Sequence, residues 1–249
     1  MTELVICDVK EKICTFTLNR PDKLNALNAE SFRQIAAQLD RIDMSDIRCV
    51  LLKGAGRSFC AGHDLDDLAS GAEAGLIERL EAGVIERLAT LPVPFVAAVQ
   101  GHCYTGGLEL VLAADIIIAS ADAKFADTHA KWDLVPLWGL TQRLQRRVGR
   151  AKAMEMMFTS RTYSGEEALA MGLANICVPA DELEAETKRL CRDILANSRR
   201  SNCAMKKLMA DTDNLPLAAG LAWELYHSEG HGPEMQAHIE AARGQSRRR

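Results

Sequence analysis

The sequence predicts an α/β protein built as one large domain, and three observations carry that expectation. Short β-branched and apolar runs alternate with amphipathic helical patterns up to about residue 140. Beyond it the pattern turns helical, with one further short strand at 175–178. At 249 residues the chain is long enough for a sizeable core, and no linker or low-complexity stretch divides it. Repeated strand, loop and helix imply a sheet flanked by helices.

Taken in order, residues 4–9 and 13–18 read as adjacent strands, with Lys10 to Lys12 as the turn. Asn28 has the right chemistry to cap a helix whose apolar face is Phe32, Ile35, Leu39 and Ile42. Residues 49–52, 95–99 and 115–119 read as buried strands, with a helix over about 76–88 between the first two. Helices follow at 140–148 and 151–159. Ser164-Gly-Glu-Glu167 has capping-box spacing ahead of 168–171, and Gly172 supplies the stop. Pro179 closes the strand at 175–178, and helical segments are expected at about 181–196, 202–211 and 215–228.

Composition narrows the function classes. An apolar fraction of 48% with 26% charged residues is that of an ordinary globular protein. A net charge of −4 argues against nucleic acid as the main partner, and the terminal Arg247-Arg248-Arg249 reads as a short solvated tail. No apolar run approaches the roughly 18 residues of a membrane span. The N-terminal residues show neither a signal-peptide nor a transit pattern, so a cytoplasmic location and no membrane partner are expected. The eight cysteines include no C-x-x-C pair and read as small buried hydrophobes in a reducing compartment. Cys60 and Cys103 still warrant notice, because they sit in the two segments where chemistry concentrates. Among the six histidines only His227 and His231 have ligand-like spacing, and Gly230, Gly232 and Pro233 break any helix there, so no metal is expected.

The first of those segments runs from Pro94 to Asp115. A buried strand stops at Gly101, and Gly106-Gly107 opens an apolar run over 108–114 that reads as a buried helix. Two glycines at a helix start let a ligand approach the backbone, where first-turn N–H groups have no intrahelical partner. Glu109, three residues past Gly106, shares that face of the first turn. A donor for an oxyanion and a carboxylate able to move a proton are thus encoded within one turn. The second segment, residues 51–65, has the same logic, and its Ala61-Gly62-His63-Asp64 offers a second backbone donor. The plainer reading is that Glu109 complements the helix dipole and the glycines make a tight turn.

These motifs resemble those of the crotonase superfamily, the enoyl-CoA hydratase/isomerase family. The resemblance rests on A-G-x-D at Ala61 to Asp64 together with P-x-x-A-A-V-x-G and G-G-x-E-L between Pro94 and Leu110. It extends from Asn19-Arg-Pro-Asp-Lys-Leu-Asn-Ala-Leu-Asn28 to Thr141-Gln-Arg-Leu144 and Gly165 to Leu173. It implies a right-handed spiral of repeated ββα units over about 1–195. A C-terminal helical segment, about 196–249, would pack into a homotrimer or a pair of trimers. The substrate is then an acyl-CoA, the coenzyme A thioester being part of the substrate, and no metal or redox cofactor is implied.

By position, the resemblance makes the amides of His63 and Gly106 the oxyanion hole for a thioester enolate, and Glu109 the proton-transfer carboxylate. The second glutamate of hydratases aligns with His129, fixed by Phe125, Pro136 and Thr141 to Leu144. Three roles are open to His129: a replacement acid or base, a pocket wall beside a single-carboxylate isomerase or lyase, or an inert residue in a non-catalytic acyl-CoA-binding protein. Asp127, two residues earlier, is placed to orient the ring. Asp64 reads as the cap of a following helix with Leu65 and Leu68 buried. Lys23, Leu24 and Ala26 are expected to border the coenzyme channel, with Ala61, Gly62, Asp64 and Leu65 on its other side. Asp66 stands where many relatives have a phosphate-binding lysine, which Arg57 or Lys23 would have to replace. Tyr104, Trp132, Leu137 and Trp138 are the expected walls of the acyl pocket, and the two tryptophans suggest a restricted acyl group.

Overall fold

The structure, a computed structural model, describes residues 3–64 and 74–246. Strands β1 (Val5–Lys10) and β2 (Ile13–Leu18) form an antiparallel hairpin in which Val5 faces Leu18 and Lys10 faces Ile13. Its turn residues Glu11 and Lys12 both have positive φ, 51° and 66°, the sense of twist a two-residue hairpin needs. Strands β3 (Cys49–Gly54), β4 (Phe95–Val99), β6 (Ile116–Ser120) and β9 (Ile176–Val178) continue the sheet. The order is β1-β2-β3-β4-β6-β9, parallel from β2 onward. All five residues of β4 are buried, as a central parallel strand covered on both faces requires.

A second, three-stranded sheet combines β5 (His102–Tyr104), β7 (Lys124–Ala126) and β8 (Tyr163–Ser164), in the order β5-β7-β8. Its strands are two or three residues long, too short for a period to show in sequence. They form because partners distant in the chain supply the hydrogen bonds: β7 pairs parallel with β5 and antiparallel with β8.

The helices confirm most sequence expectations at their ends. In α1 (Ala29–Arg41) the Asn28 side chain accepts a bond from the Ser31 N–H at 2.9 Å, and Phe32, Ile35 and Leu39 are buried. Ile42, expected on that face, instead leaves the helix in extended conformation. Helix α2 spans Ala74–Ala89, and α3 spans Gly106–Val111, opening at the paired glycines as expected but ending three residues short of Ala114. Helices α4 (Leu140–Val148), α5 (Arg150–Thr159), α6 (Gly165–Ala170) and α7 (Leu183–Ala196) follow. The capping box of α6 forms as expected, with Ser164 Oγ accepting from Glu167 N–H and the Glu167 carboxylate from Ser164 N–H. Leu183 and Cys191 of α7 pack on Cys49, Leu51, Val96, Ala98 and Ile118 of the large sheet.

The chain divides into two compact units, Met1–Leu195 and Ala196–Arg249. The second holds α8 (Arg199–Thr212), α9 (Leu217–His227) and α10 (Met235–Ser246), the last not anticipated from sequence. Within it Arg200 ties the chain past α9, donating to the Glu229 carbonyl at 2.8 Å. Among the described residues no helix is long and apolar enough to cross a membrane.

One local defect gives a stability prediction. Ser160 ends α5 at φ 48°, a left-handed conformation, and its buried hydroxyl has no hydrogen-bond partner among the described residues. Glycine relieves both costs at such a cap, so Ser160→Gly is expected to stabilise the fold by about 0.5–1 kcal/mol. Urea denaturation checks this; an unchanged or lower midpoint would count against it.

Candidate active site

Residues 19–28 fold as a clasp over the loop at 61–64. Asn25 is buried in a left-handed conformation (φ 56°), which asparagine tolerates better than most residues. Its Oδ1 accepts from the Arg20 N–H at 2.8 Å, and its Nδ2 donates to the carbonyls of Ala55 (2.8 Å) and Ser58 (2.7 Å). Ala61 N–H donates to Leu24 O, Leu27 N–H to Gly62 O, and Asp64 N–H to Leu27 O. The Arg20 guanidinium then bonds both Ala26 O (2.7 Å) and the Asp64 carboxylate (2.9 Å). Asp64 thereby pairs with Arg20, a partner 44 positions away that no local pattern reveals, while the helix it was expected to cap lies outside the described residues. Lys23 closes a short 3-10 turn, Pro21–Lys23, and is exposed. Leu65, Asp66 and Leu68 lie outside the described residues.

The same loop is joined to the start of α3. Cys60 N–H donates to His102 O at 2.8 Å and Tyr104 N–H to Cys60 O at 3.0 Å, so Cys60 bridges Cys103 of β5. A Cβ on Gly107 would lie 2.7 Å from the Cys60 carbonyl oxygen, and one on Gly62 (φ 109°) 3.1 Å from the Tyr104 oxygen and 3.7 Å from the Gly106 nitrogen. Glycine is therefore required at both positions for the loops to meet. Both thiols are fully buried, and burial pushes Cys60 up to about 12 and raises Cys103 as well. They are neutral packing groups, not nucleophiles.

Thr105 precedes α3 with φ 49° and ψ −107°, an outlying conformation for a β-branched residue. It is held by its N–H on Ala126 O (2.9 Å) and by its hydroxyl, which accepts from Thr128 N–H (3.1 Å) and shares a 2.5 Å bond with Thr128 Oγ1. The glycine-rich helix start is thereby fixed against the segment that carries His129.

At the centre Glu109 is 2% exposed. Its Oε1 accepts from the backbone N–H groups of Trp138 (3.0 Å) and Leu140 (3.2 Å), which leaves Oε2 facing His129 Nε2 at 3.7 Å. His129 opens a short 3-10 helix, His129–Trp132, and is buried. Its Nδ1 lies 2.5 Å from Oδ1 of the buried Asp127, and the same oxygen accepts from the His129 N–H. Asp127 accepts only, so Nδ1 carries the proton and Nε2 presents its lone pair toward Glu109 when the ring is neutral. Burial raises the Glu109 carboxyl to about 7, against the lowering effects of His129 and of the Leu140 and Trp138 donors. A carboxyl poised near neutrality beside an oriented imidazole can both give and take a proton.

The other candidates separate. The His63 imidazole meets the buried Glu81 of α2, Nε2 to Oε1 3.2 Å, and packs against Trp138 at 5.3 Å between centroids. Trp138 is 6% exposed, sits edge-on to Phe32 at 4.9 Å and covers Gly106. Tyr104 packs edge-on to His102. Trp132 and Leu137 are more than half exposed, at 56% and 59%. Of the four expected acyl-pocket residues, the structure places Trp138 directly against the Glu109 and Gly106 cluster. Glu81, Asn25 and the Thr105–Thr128 pair were not legible as site residues. Asn25 alone left a signal, as an asparagine inside the 19–28 motif.

Comparison with known proteins places the chain in a family. Residues 8–240 match the family model described as enoyl-CoA hydratase/isomerase. The chain is 37% identical over 201 residues to 1,2-epoxyphenylacetyl-CoA isomerase of Escherichia coli, covering 78% of this chain and 77% of that protein. The crystal structure of enoyl-CoA hydratase from Bacillus anthracis superposes with a TM-score of 0.91 at 28% identity, covering 97% of this chain and 96% of that one. A Thermobifida fusca protein in complex with acetoacetyl-CoA superposes with a TM-score of 0.83 at 27% identity, covering 90% and 92%. The fold is therefore the crotonase fold, and the chain belongs to the enoyl-CoA hydratase/isomerase family of acyl-CoA enzymes.

Proposed function

We infer that the protein hydrates an enoyl-CoA, with Glu109 and His129 as the proton-transfer pair. The observation that carries this reading is the 3.7 Å separation of Glu109 Oε2 and His129 Nε2, with Asp127 holding the other ring nitrogen. One water can touch both atoms at ordinary hydrogen-bond length. His129 Nε2 takes a proton from that water as its oxygen bonds to Cβ of the enoyl group. The displaced π pair becomes the enolate of the thioester, whose oxygen is met by the amides of His63 and Gly106. Protonated Glu109 then delivers its proton to Cα. The pair ends as imidazolium and carboxylate, and proton return from Nε2 to Oε2 restores the starting state.

A second reading is suggested by the 37% identity to 1,2-epoxyphenylacetyl-CoA isomerase: the chain is a single-carboxylate isomerase in which Glu109 alone moves protons and His129 only lines the site. Purified protein assayed for loss of crotonyl-CoA absorbance, with His129→Glu alongside, separates the two. Turnover by the native protein supports hydration. A silent native protein with an active His129→Glu variant would sink it and favour the isomerase.

A further inference from the structure

The indole of Trp138 lies on Gly106, whose amide the proposed mechanism sets at the thioester oxygen. A Cβ on Gly106 would stand 2.5 Å from Trp138 Cζ3, so the six-membered ring covers that face of Gly106 in van der Waals contact. The ring is held on two further sides, by Phe32 of α1 edge-on at 4.9 Å and by the His63 imidazole at 5.3 Å. Its backbone cannot retreat either, because the Trp138 N–H is one of the two donors on Glu109 Oε1 and its carbonyl accepts from Arg143 Nη1 at 2.8 Å. At 6% exposure the side chain fills its site. A thioester oxygen within hydrogen-bond reach of Gly106 N–H brings the acyl carbons alongside this ring.

We propose that Trp138 is the specificity-determining residue of the site and restricts it to short acyl groups. The proposal rests on the acyl-CoA reading above but not on the direction or chemistry of turnover. A longer chain needs space that the ring fills and that neither its neighbours nor its backbone allow it to give up, whereas a short group needs less of it. Replacing the indole with a methyl group opens space for several methylenes, and each one taken out of water contributes roughly a factor of three to four in affinity.

Isothermal titration with saturated butyryl-CoA and decanoyl-CoA tests this without any reaction. The native protein is expected to bind butyryl-CoA at least about tenfold more tightly than decanoyl-CoA. Trp138→Ala is expected to reverse that order, and Trp138→Phe, which keeps an aromatic ring against Phe32, to shift it part of the way. Phe also serves if the alanine variant fails to fold. Equal binding of the two ligands by the native protein, or an unchanged ratio in the variants that fold, overturns the proposal while leaving the acyl-CoA reading intact. Binding of neither ligand overturns both.

Discussion

Glu109→Gln is expected to lower turnover of crotonyl-CoA by about 10²–10⁴ while thioester binding stays within roughly a factor of two. The amide oxygen can still accept from the Trp138 and Leu140 N–H groups, so the local structure persists, but no exchangeable carboxyl proton remains. The substitution also carries a stability signature. The Glu109 carboxyl titrates at about 7 in the folded chain, mainly because burial disfavours its charge, and near 4.3 when unfolded. Between those values the folded state binds more protons, so native stability falls as pH rises through that window and levels off above it. Glutamine removes the penalty. Thermal denaturation should show the variant equal to the native protein near pH 4 and more stable above pH 7. Retained turnover would refute the proton-transfer role, and a Tm difference independent of pH would refute the buried, raised carboxyl.

The second large effect concerns His129. His129→Ala is expected to cost about 10² or more in kcat/KM for hydration, the usual contribution of a positioned acid or base. The pH profile should change as well. On the proposed mechanism hydration needs the proton on Glu109, so its loss shuts activity off at high pH. Without the imidazole this alkaline limb should move upward, because His129 is the largest influence lowering the Glu109 carboxyl. Turnover within about threefold of native with an unaltered profile would assign His129 to the wall of the site and favour the single-carboxylate reading.

How much of this was legible in sequence depends on the range over which each feature is decided. The hairpin, the Asn28 cap of α1, the capping box of α6 and the buried strand β4 follow from residues within a few positions of one another. Glu109 and the paired glycines of α3 stood out for the same reason, being one helical turn of local chemistry. Asp127 and His129, only two residues apart, were visible as neighbours, but a loop spacing of two does not fix where an imidazole points. The 2.5 Å contact at Nδ1 depends on the 3-10 turn that begins at His129. The pairing of Asp64 with Arg20 is not legible because the two residues are distant in the chain. The second sheet is not legible in sequence because its strands are too short to display a period.

The sequence by itself determined the strand and helix order, the glycines that let the backbone close up, and the presence of a carboxylate in the first turn of α3. Local propensity and side-chain size suffice for those. Only the tertiary structure decided that two amides from residues 138 and 140 hold one Glu109 oxygen, and that the other is left facing His129. It also decided that an indole 32 positions beyond Gly106 comes to rest on that glycine. Those relations depend on long-range packing, in which segments distant in the chain become neighbours because burying them together outweighs the entropy of ordering them.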